Sequence, residues 1–334
     1  MGEGSRSSGG LARLILLGIV WGATFPMSRL GVAAGADPFV LVTIAFALAV
    51  AVTAPVAALK RNPLPSLRGF GESAAVGALL IAGINLPLFW GERFATGGAA
   101  SIVYATAPLV SLAFGTLLGS SERVGRRELF ALVLGVAGVA VLALAAGGVV
   151  TSLWGLAAFG LGAVCQGTGA VTLGRLRPHG ESVWGQTAQF AGGGVAALAV
   201  ALAMAPRFTI SWSAPVLASV AYVGIASLAV GYAVFFDLIR RDGPVRANQV
   251  TFLNPVVAVT LGAVVFAEPF ALVEVGGLVL ILLALAILRL PSTGRAPATG
   301  REPAEGTPPS TPSVRGPLPT DSAPREQAAS SRTH

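Results

Sequence analysis

Between Leu11 and Leu290 the chain alternates long apolar runs with short clusters of charge. A helix needs about 20 largely apolar residues to cross the ~30 Å hydrocarbon layer of a bilayer. Dividing the runs at the charges, and splitting those too long for one crossing, predicts ten transmembrane helices. They run Leu11 to Leu30, Phe39 to Leu59, Ser73 to Gly91, Gly98 to Leu118, Leu129 to Ala146, Leu153 to Leu173, Val183 to Ala205, Ala214 to Phe236, Ala247 to Ala267 and Phe270 to Leu290. The stretch from Leu129 to Gly174 carries no charge and holds two of them, with the turn at Gly147, Gly148 and Thr151. The first run imitates a cleavable signal peptide, with Arg6 and Arg13 ahead and Ala34-Gly35-Ala36 behind. Arg29 within it, and the repeat described below, argue that it is retained.

Basic residues fall on alternate loops. Lys60, Arg61 and Arg68 share one side with Arg123, Arg126, Arg127, Arg175, Arg177, Arg240, Arg241, Arg246, Arg289 and Arg295. The opposite loops hold Arg29, Arg93 and Arg207. The positive-inside rule then puts both termini in the cytoplasm. Arg outnumbers Lys 21 to 1 and Ala and Gly abound, which suits a GC-rich bacterial genome and the inner membrane. From Pro291 onward the composition turns to Pro, Ser, Thr, Gly and Ala with scattered charge, so residues 291–334 are predicted to be a disordered cytoplasmic tail.

Half of the chain echoes the other half. Arg29 and Arg175, Glu122 and Glu268, and Glu128 and Glu274 are each 146 residues apart, and Pro108 and Pro255 are 147 apart. Each pair falls on or beside corresponding helices of two five-helix halves, residues 1–148 and 149–290. Because five is odd, the second half enters the membrane from the opposite side. The predicted fold class is therefore all-α, a polytopic membrane protein with two inverted five-helix repeats, which is a transporter architecture.

Composition removes the competing classes. With 54% hydrophobic and 11% charged residues and a mean hydropathy of +0.76, the chain cannot cover a water-soluble surface. Lys60 is the single lysine and follows Ala57-Ala58-Leu59, so there is no phosphate loop, and no lysine is buried for a Schiff base. His179, His334 and Cys165 are too few and too scattered for a metal or haem site, so no cofactor and no metal are expected. The net charge of +7 is strung between apolar runs rather than gathered on one face, which argues against a nucleic-acid partner. The expected partners are a small-molecule substrate and the lipid bilayer; homodimerisation is left open.

Trp21-Gly22-Ala23-Thr24-Phe25-Pro26, Ala107-Pro108 followed by Glu122, and Asn254-Pro255 followed by Glu268 resemble the two EamA-type repeats of the drug/metabolite transporter superfamily. The resemblance covers about Leu11 to Leu290 and implies a permease that exports or exchanges small metabolites, amino acids or drugs by alternating access. One departure stands out. Relatives often carry an Arg about seven residues after the Pro that opens the second helix, and here that position is Ala45.

Polar residues near mid-depth must bond another helix or line a wet cavity, because an unpaired amide in hydrocarbon costs several kcal/mol. Trp21, Thr24, Asn85, Tyr104, Thr106, Gln166, Tyr232 and Asn254 make such a set. Pro26, Pro87, Pro108 and Pro255 each free a carbonyl one turn earlier, and Pro108 and Pro255 are favoured as cavity residues because they sit at equivalent mid-helix positions. Glu92, Glu122, Asp237 and Glu268 lie at helix ends, where ion pairing, helix capping or gating at the rim are the open roles. Gly192-Gly193-Gly194 and the Gly135/Gly138 pair are expected to pack helices closely. No acid or histidine lies at the bilayer centre, so transport is expected without an obligatory proton, of a neutral or zwitterionic solute of amino-acid size. A channel or lipid-handling protein is the alternative, whereas an intramembrane enzyme lacks its central Ser-His or paired Asp.

Overall fold

The computed structural model describes residues 3–91, 93–94, 103–119, 125–145, 153–175, 182–204, 210–266 and 272–289. Among them every regular element is helical. Helix α1 runs Glu3–Gly22 and resumes as Thr24–Ala33; α2 is Pro38–Leu59 and α3 is Leu67–Gly91. These are followed by α4, Ala107–Leu117, α5, Arg126–Ala145, α6, Leu153–Arg175, α7, Val183–Met204, and α8, Ala214–Asp242. A short helix Pro244–Ala247, a 3-10 stretch Asn248–Phe252 and a helix Leu253–Phe266 together make α9, and α10 is Leu272–Arg289. Six are long and apolar enough to cross a membrane: Gly9–Ala33 of α1, then α2, α3, α6, α7 and α8; Ala107–Leu117 and Val275–Ala284 are shorter apolar helices. The described residues belong to one compact unit, Met1–Leu290. Residues 291–334, with their expected disorder, lie outside the described residues, as do Glu92, Glu122, Glu268 and the turn expected at Gly147 to Thr151.

Local chemistry explains the helix ends. Asp37 caps α2 through Oδ1, which accepts from the amides of Phe39 and Val40, with Pro38 at the first turn where no N–H is needed. Gly243 ends α8 at φ 87°, a backbone conformation that a side chain would strain. Pro26 has no N–H for the carbonyl of Gly22, and α1 breaks at the intervening Ala23.

Two helices are irregular in mid-course. α3 widens to π geometry over Gly77–Ile81, and α8 does so over Tyr222–Gly231. A π turn shifts the backbone pairing by one residue, so side chains are called on for its carbonyls. The Asn85 amide donates to the carbonyl of Ile81, the Trp21 indole to Ser227 and the Gln186 amide to Ala229.

Helices cross where glycine removes the side chain. A Cβ on Gly77 would lie 1.8 Å from the Gln189 carbonyl, and one on Gly192 1.9 Å from that of Ala74, so α3 and α7 meet backbone to backbone. α8 likewise meets α2, where a Cβ on Gly224 would lie 2.9 Å from the Ala45 carbonyl. In the same way Gly167 of α6 lies against the carbonyl of Ala107 in α4, and Gly22 of α1 against that of Asn254 in α9. Gly138 closes α5 on α10 at Gly277, and Gly135 takes the Phe252 ring. Small residues are required here because lipid is as apolar as a Leu side chain and gives no hydrophobic drive to helix pairing. Phe46, Phe89, Phe159, Phe190, Phe235 and Phe252 fill the interior, while Leu79, Phe130 and Leu282 are exposed on the outer helix faces, as lipid contact requires.

Candidate functional site

Polar groups from both halves of the chain converge between α1, α3, α4, α6, α8 and α9. There a cavity with about 450 Å³ of atom-free space, counting its open mouth, is lined by Trp21, Thr24, Phe25, Ile84, Asn85, Leu88, Tyr104, Gln166, Ser227, Tyr232, Thr251 and Asn254. None of these side chains is ionised in the physiological range. Trp21, Thr24, Asn85, Tyr104, Gln166, Tyr232 and Asn254 are thus brought together from the set that the sequence singled out.

Several wall groups are held by their own helix or a neighbour. The Trp21 indole, whose N–H donates to the Ser227 carbonyl at 3.1 Å, lies against the Tyr232 and Phe235 rings with centroids 5.3 and 4.9 Å away. It fits because Gly231 has no side chain: a Cβ there would stand 2.5 Å from Nε1. The hydroxyls of Thr24 and Ser227 bond each other at 2.9 Å, joining α1 to α8. Tyr104 donates to the Ile84 carbonyl at 2.9 Å and lies over Gly162. Gln166 donates to Asn248 Oδ1 at 2.9 Å, Asn248 donates to Ser111 Oγ at 2.6 Å, and Ser111 donates to the Gly167 carbonyl at 2.9 Å. That buried chain ties the 3-10 stretch of α9 to α6 and α4, and a fully satisfied polar network of this kind fixes one helix arrangement.

Three expected residues stand apart from the lining. Thr106 donates to its own turn at Val103 at 2.6 Å, before α4 begins. Pro108 follows a turn at 105–106 and opens the regular stretch of α4, and Pro255 is the third residue of the regular stretch of α9, after its 3-10 turn. Both still act on the backbone facing the cavity: Pro108 has no N–H for the carbonyl of Tyr104, and Pro255 none for that of Thr251, and both of those residues are in the lining.

Phe25, Ile84, Leu88, Ser227 and Thr251 line the cavity without having been singled out. Ser227 and Thr251 had a signal, a hydroxyl amid an apolar run, but the three apolar residues had none. At the rims, Asp237 at the end of α8 pairs with Arg13 of α1 at 3.2 Å, Arg241 at 2.8 Å and Arg240. Asp37, the cap of α2, pairs with Arg93 at 2.7 Å, and the same guanidinium lies 5.7 Å over the Phe39 ring. Among the described residues no group of three or more His, Cys, Asp or Glu could hold a metal ion.

An uncharged, partly aromatic cavity enclosed by long apolar helices suits the passage of a solute better than bond-making chemistry, and comparison with known proteins decides the family. A model of the EamA-like transporter family matches residues 8–144 and again residues 153–290. The chain belongs to the EamA-like transporter family. It is a membrane transporter with several helices long and apolar enough to span a membrane, as the resemblance of its motifs to that family implied. The "Uncharacterized inner membrane transporter YedA" of Escherichia coli K12 is 28% identical over 262 residues, 78% of this chain and 84% of its own length. The "Uncharacterized transporter YvbV" of Bacillus subtilis is 28% identical over 286 residues, 84% and 91% of the two chains. A "Probable terminal-alkyne amino-acid exporter" of Streptantibioticus cattleyicolor is 28% identical over 273 residues, 79% and 88%. A solved crystal structure shares the fold with a TM-score of 0.67 at 19% identity, covering 85% of this chain and 96% of the other.

Proposed function

We propose that this EamA-family chain is a secondary transporter that exports or exchanges a small neutral or zwitterionic solute across the bacterial inner membrane by alternating access. The observation that carries the proposal is the cavity itself, built from both halves of the chain and lined by amides, hydroxyls and aromatic rings without an ionised group. A phosphorylated solute would need Arg or Lys at that depth to replace its hydration. The exporter among the relatives supports a solute of amino-acid size.

Ten crossings in two inverted repeats, residues 1–148 and 149–290, provide the mechanism, with both termini in the cytoplasm. The exchange of partners supports this: α1 packs on α9 as α6 packs on α4, and α8 on α2 as α3 on α7, the pattern that a twofold relation between five-helix units generates. Such units have two nearly equivalent packings, opening alternately to either side of a central site. The π stretches of α3 and α8 and the proline breaks of α1, α4 and α9 are where the backbone can bend between them. The Arg13–Asp237 pair closes the cytoplasmic rim and the Arg93–Asp37 pair the outer one. Transport needs no proton, because among the described residues no acid borders the cavity.

Purified protein in liposomes tests this. Saturable uptake with counterflow is expected, reduced at least tenfold by Trp21→Ala or Tyr104→Ala; currents that follow voltage without saturating would identify a channel instead. Reporter fusions after residues 65, 124, 178 and 243 should read as cytoplasmic and those at residues 149 and 209 as external. A cytoplasmic signal at residue 149 would exclude the inverted arrangement.

A further inference from the structure

The cavity is chemically divided, and one atom in it has no partner. Its aliphatic and phenyl lining, Phe25, Ile84 and Leu88, comes from α1 and α3, which also contribute Thr24 and Asn85, whereas the lining from α6, α8 and α9 ends in amides and hydroxyls throughout. Within that polar wall Asn254 is 5% exposed, and its Oδ1 makes no hydrogen bond. An amide oxygen that far from water is costly unless a donor reaches it. Nearby donors are committed elsewhere: the Trp21 N–H goes to Ser227 and the Thr251 hydroxyl to the Asn248 carbonyl.

We infer that Asn254 Oδ1 receives an N–H from the head of an amphipathic solute, an ammonium or a primary amide, whose apolar body lies on Phe25, Ile84 and Leu88. This rests on the cavity being the transport site and adds the solute's chemistry and its orientation, head on α9 and body on α1 and α3. An ammonium makes a charge-assisted bond to an amide oxygen, stronger than the bond of a neutral hydroxyl. Trp21, its N–H already used, has only its ring face to offer, which suits an ammonium. The position 147 residues before Asn254 is Ala107, so the acceptor exists in one half only and the solute binds in one orientation.

Counterflow in proteoliposomes with three probes tests the inference. L-leucine is compared with N,N,N-trimethyl-leucine, which keeps the charges and the body but has no N–H, and with free glycine, which keeps the head and lacks the body. Wild type should take leucine at least about tenfold better than the trimethyl analogue, and Asn254→Leu should erase that ratio. Asn254→Ala serves the same purpose if the leucine variant does not insert. Leu88→Ser should narrow the gap between leucine and glycine while leaving the leucine to trimethyl-leucine ratio in place. An unchanged ratio in the Asn254 variants, with Trp21→Ala still impaired, would mean that water satisfies Oδ1 and would overturn this inference alone. Transport of solutes without an N–H donor in preference to leucine would overturn it as well. If Trp21→Ala and Tyr104→Ala both insert normally and transport like wild type, the cavity is not the site and the functional reading falls too.

Discussion

Helices α3 and α8 widen into π geometry at Gly77–Ile81 and Tyr222–Gly231, and α4 and α9 each start their regular course beside a proline, 147 residues apart. What the two halves turn toward the cavity is different. Tyr104 lines it in the first half where Thr251 does in the second, and the lining side chains without a polar atom, Phe25, Ile84 and Leu88, all lie in the first half beside Thr24 and Asn85, while every lining residue of the second half, Gln166, Ser227, Tyr232, Thr251 and Asn254, ends in an amide or a hydroxyl. In the alternating-access mechanism proposed above both halves must bend, which accounts for the backbone irregularity they share. Under the same proposal the side chains recognise one asymmetric solute, which accounts for their divergence.

The comparison can be broken most severely at the helix crossings. A Cβ at Gly77 would meet a backbone carbonyl at 1.8 Å and one at Gly224 would do so at 2.9 Å. Gly77→Ala should therefore cost more than about 3 kcal/mol and prevent recovery of monodisperse protein, while Gly224→Ala costs about 1 to 2 kcal/mol. Equal thermal stability of the two variants in detergent would show that the first crossing is no tighter than the second.

Next in size is the buried chain Gln166–Asn248–Ser111. Asn248→Leu leaves the Gln166 amide and the Ser111 hydroxyl short of a partner, which should lower stability by about 1 to 2 kcal/mol. Slowed counterflow is expected with it, because α9 is no longer held to α6 and α4. A variant as stable and as fast as wild type would remove the network from the account.

Making the first half more like the second is a gentler test. Tyr104→Thr deletes the bond to the Ile84 carbonyl, worth about 1 kcal/mol, and enlarges the cavity. The expected outcome is several-fold weaker apparent affinity for the transported solute in a protein that still inserts; unchanged affinity would mean that the asymmetry of the lining does not matter for recognition. The smallest effects belong to the rim pairs, whose Arg13 and Arg93 side chains are 39% and 36% exposed. Arg13→Gln and Arg93→Gln should each change stability by less than about 1 kcal/mol, with the difference vanishing at high salt. A large, salt-insensitive loss in either would mark that pair as structural.

Much of this was legible along the chain. Charge-free runs bounded by Arg clusters marked the apolar helices, and seven of the mid-depth polar residues meet in one cavity, since hydrocarbon leaves a polar side chain few other places to go. Asp37-Pro38 announced the start of α2. The π stretches were not legible, because their residues, GALLI and YVGIASLAVG, differ in nothing from ordinary apolar helix. Phe25, Ile84 and Leu88 were hidden for a related reason: in a segment apolar all round, no periodicity says which side faces a neighbour, which faces lipid and which lines a cavity. Pro108 and Pro255 were read as equivalent positions inside apolar runs, and the irregular backbone just before each, a turn at 105–106 and a 3-10 stretch at Asn248–Phe252, was not legible.

By itself the sequence determined that the chain is a helical membrane protein, the family to which it belongs and the uncharged character of its interior, because these follow from transfer free energy and from motifs carried on single helices. Tertiary structure decided which helices cross, which glycines let backbones touch and which side chains share the cavity. Those depend on how each helix is rotated about its axis. In a bilayer, where neither lipid nor protein interior is polar, only shape and the few interhelical hydrogen bonds set that rotation.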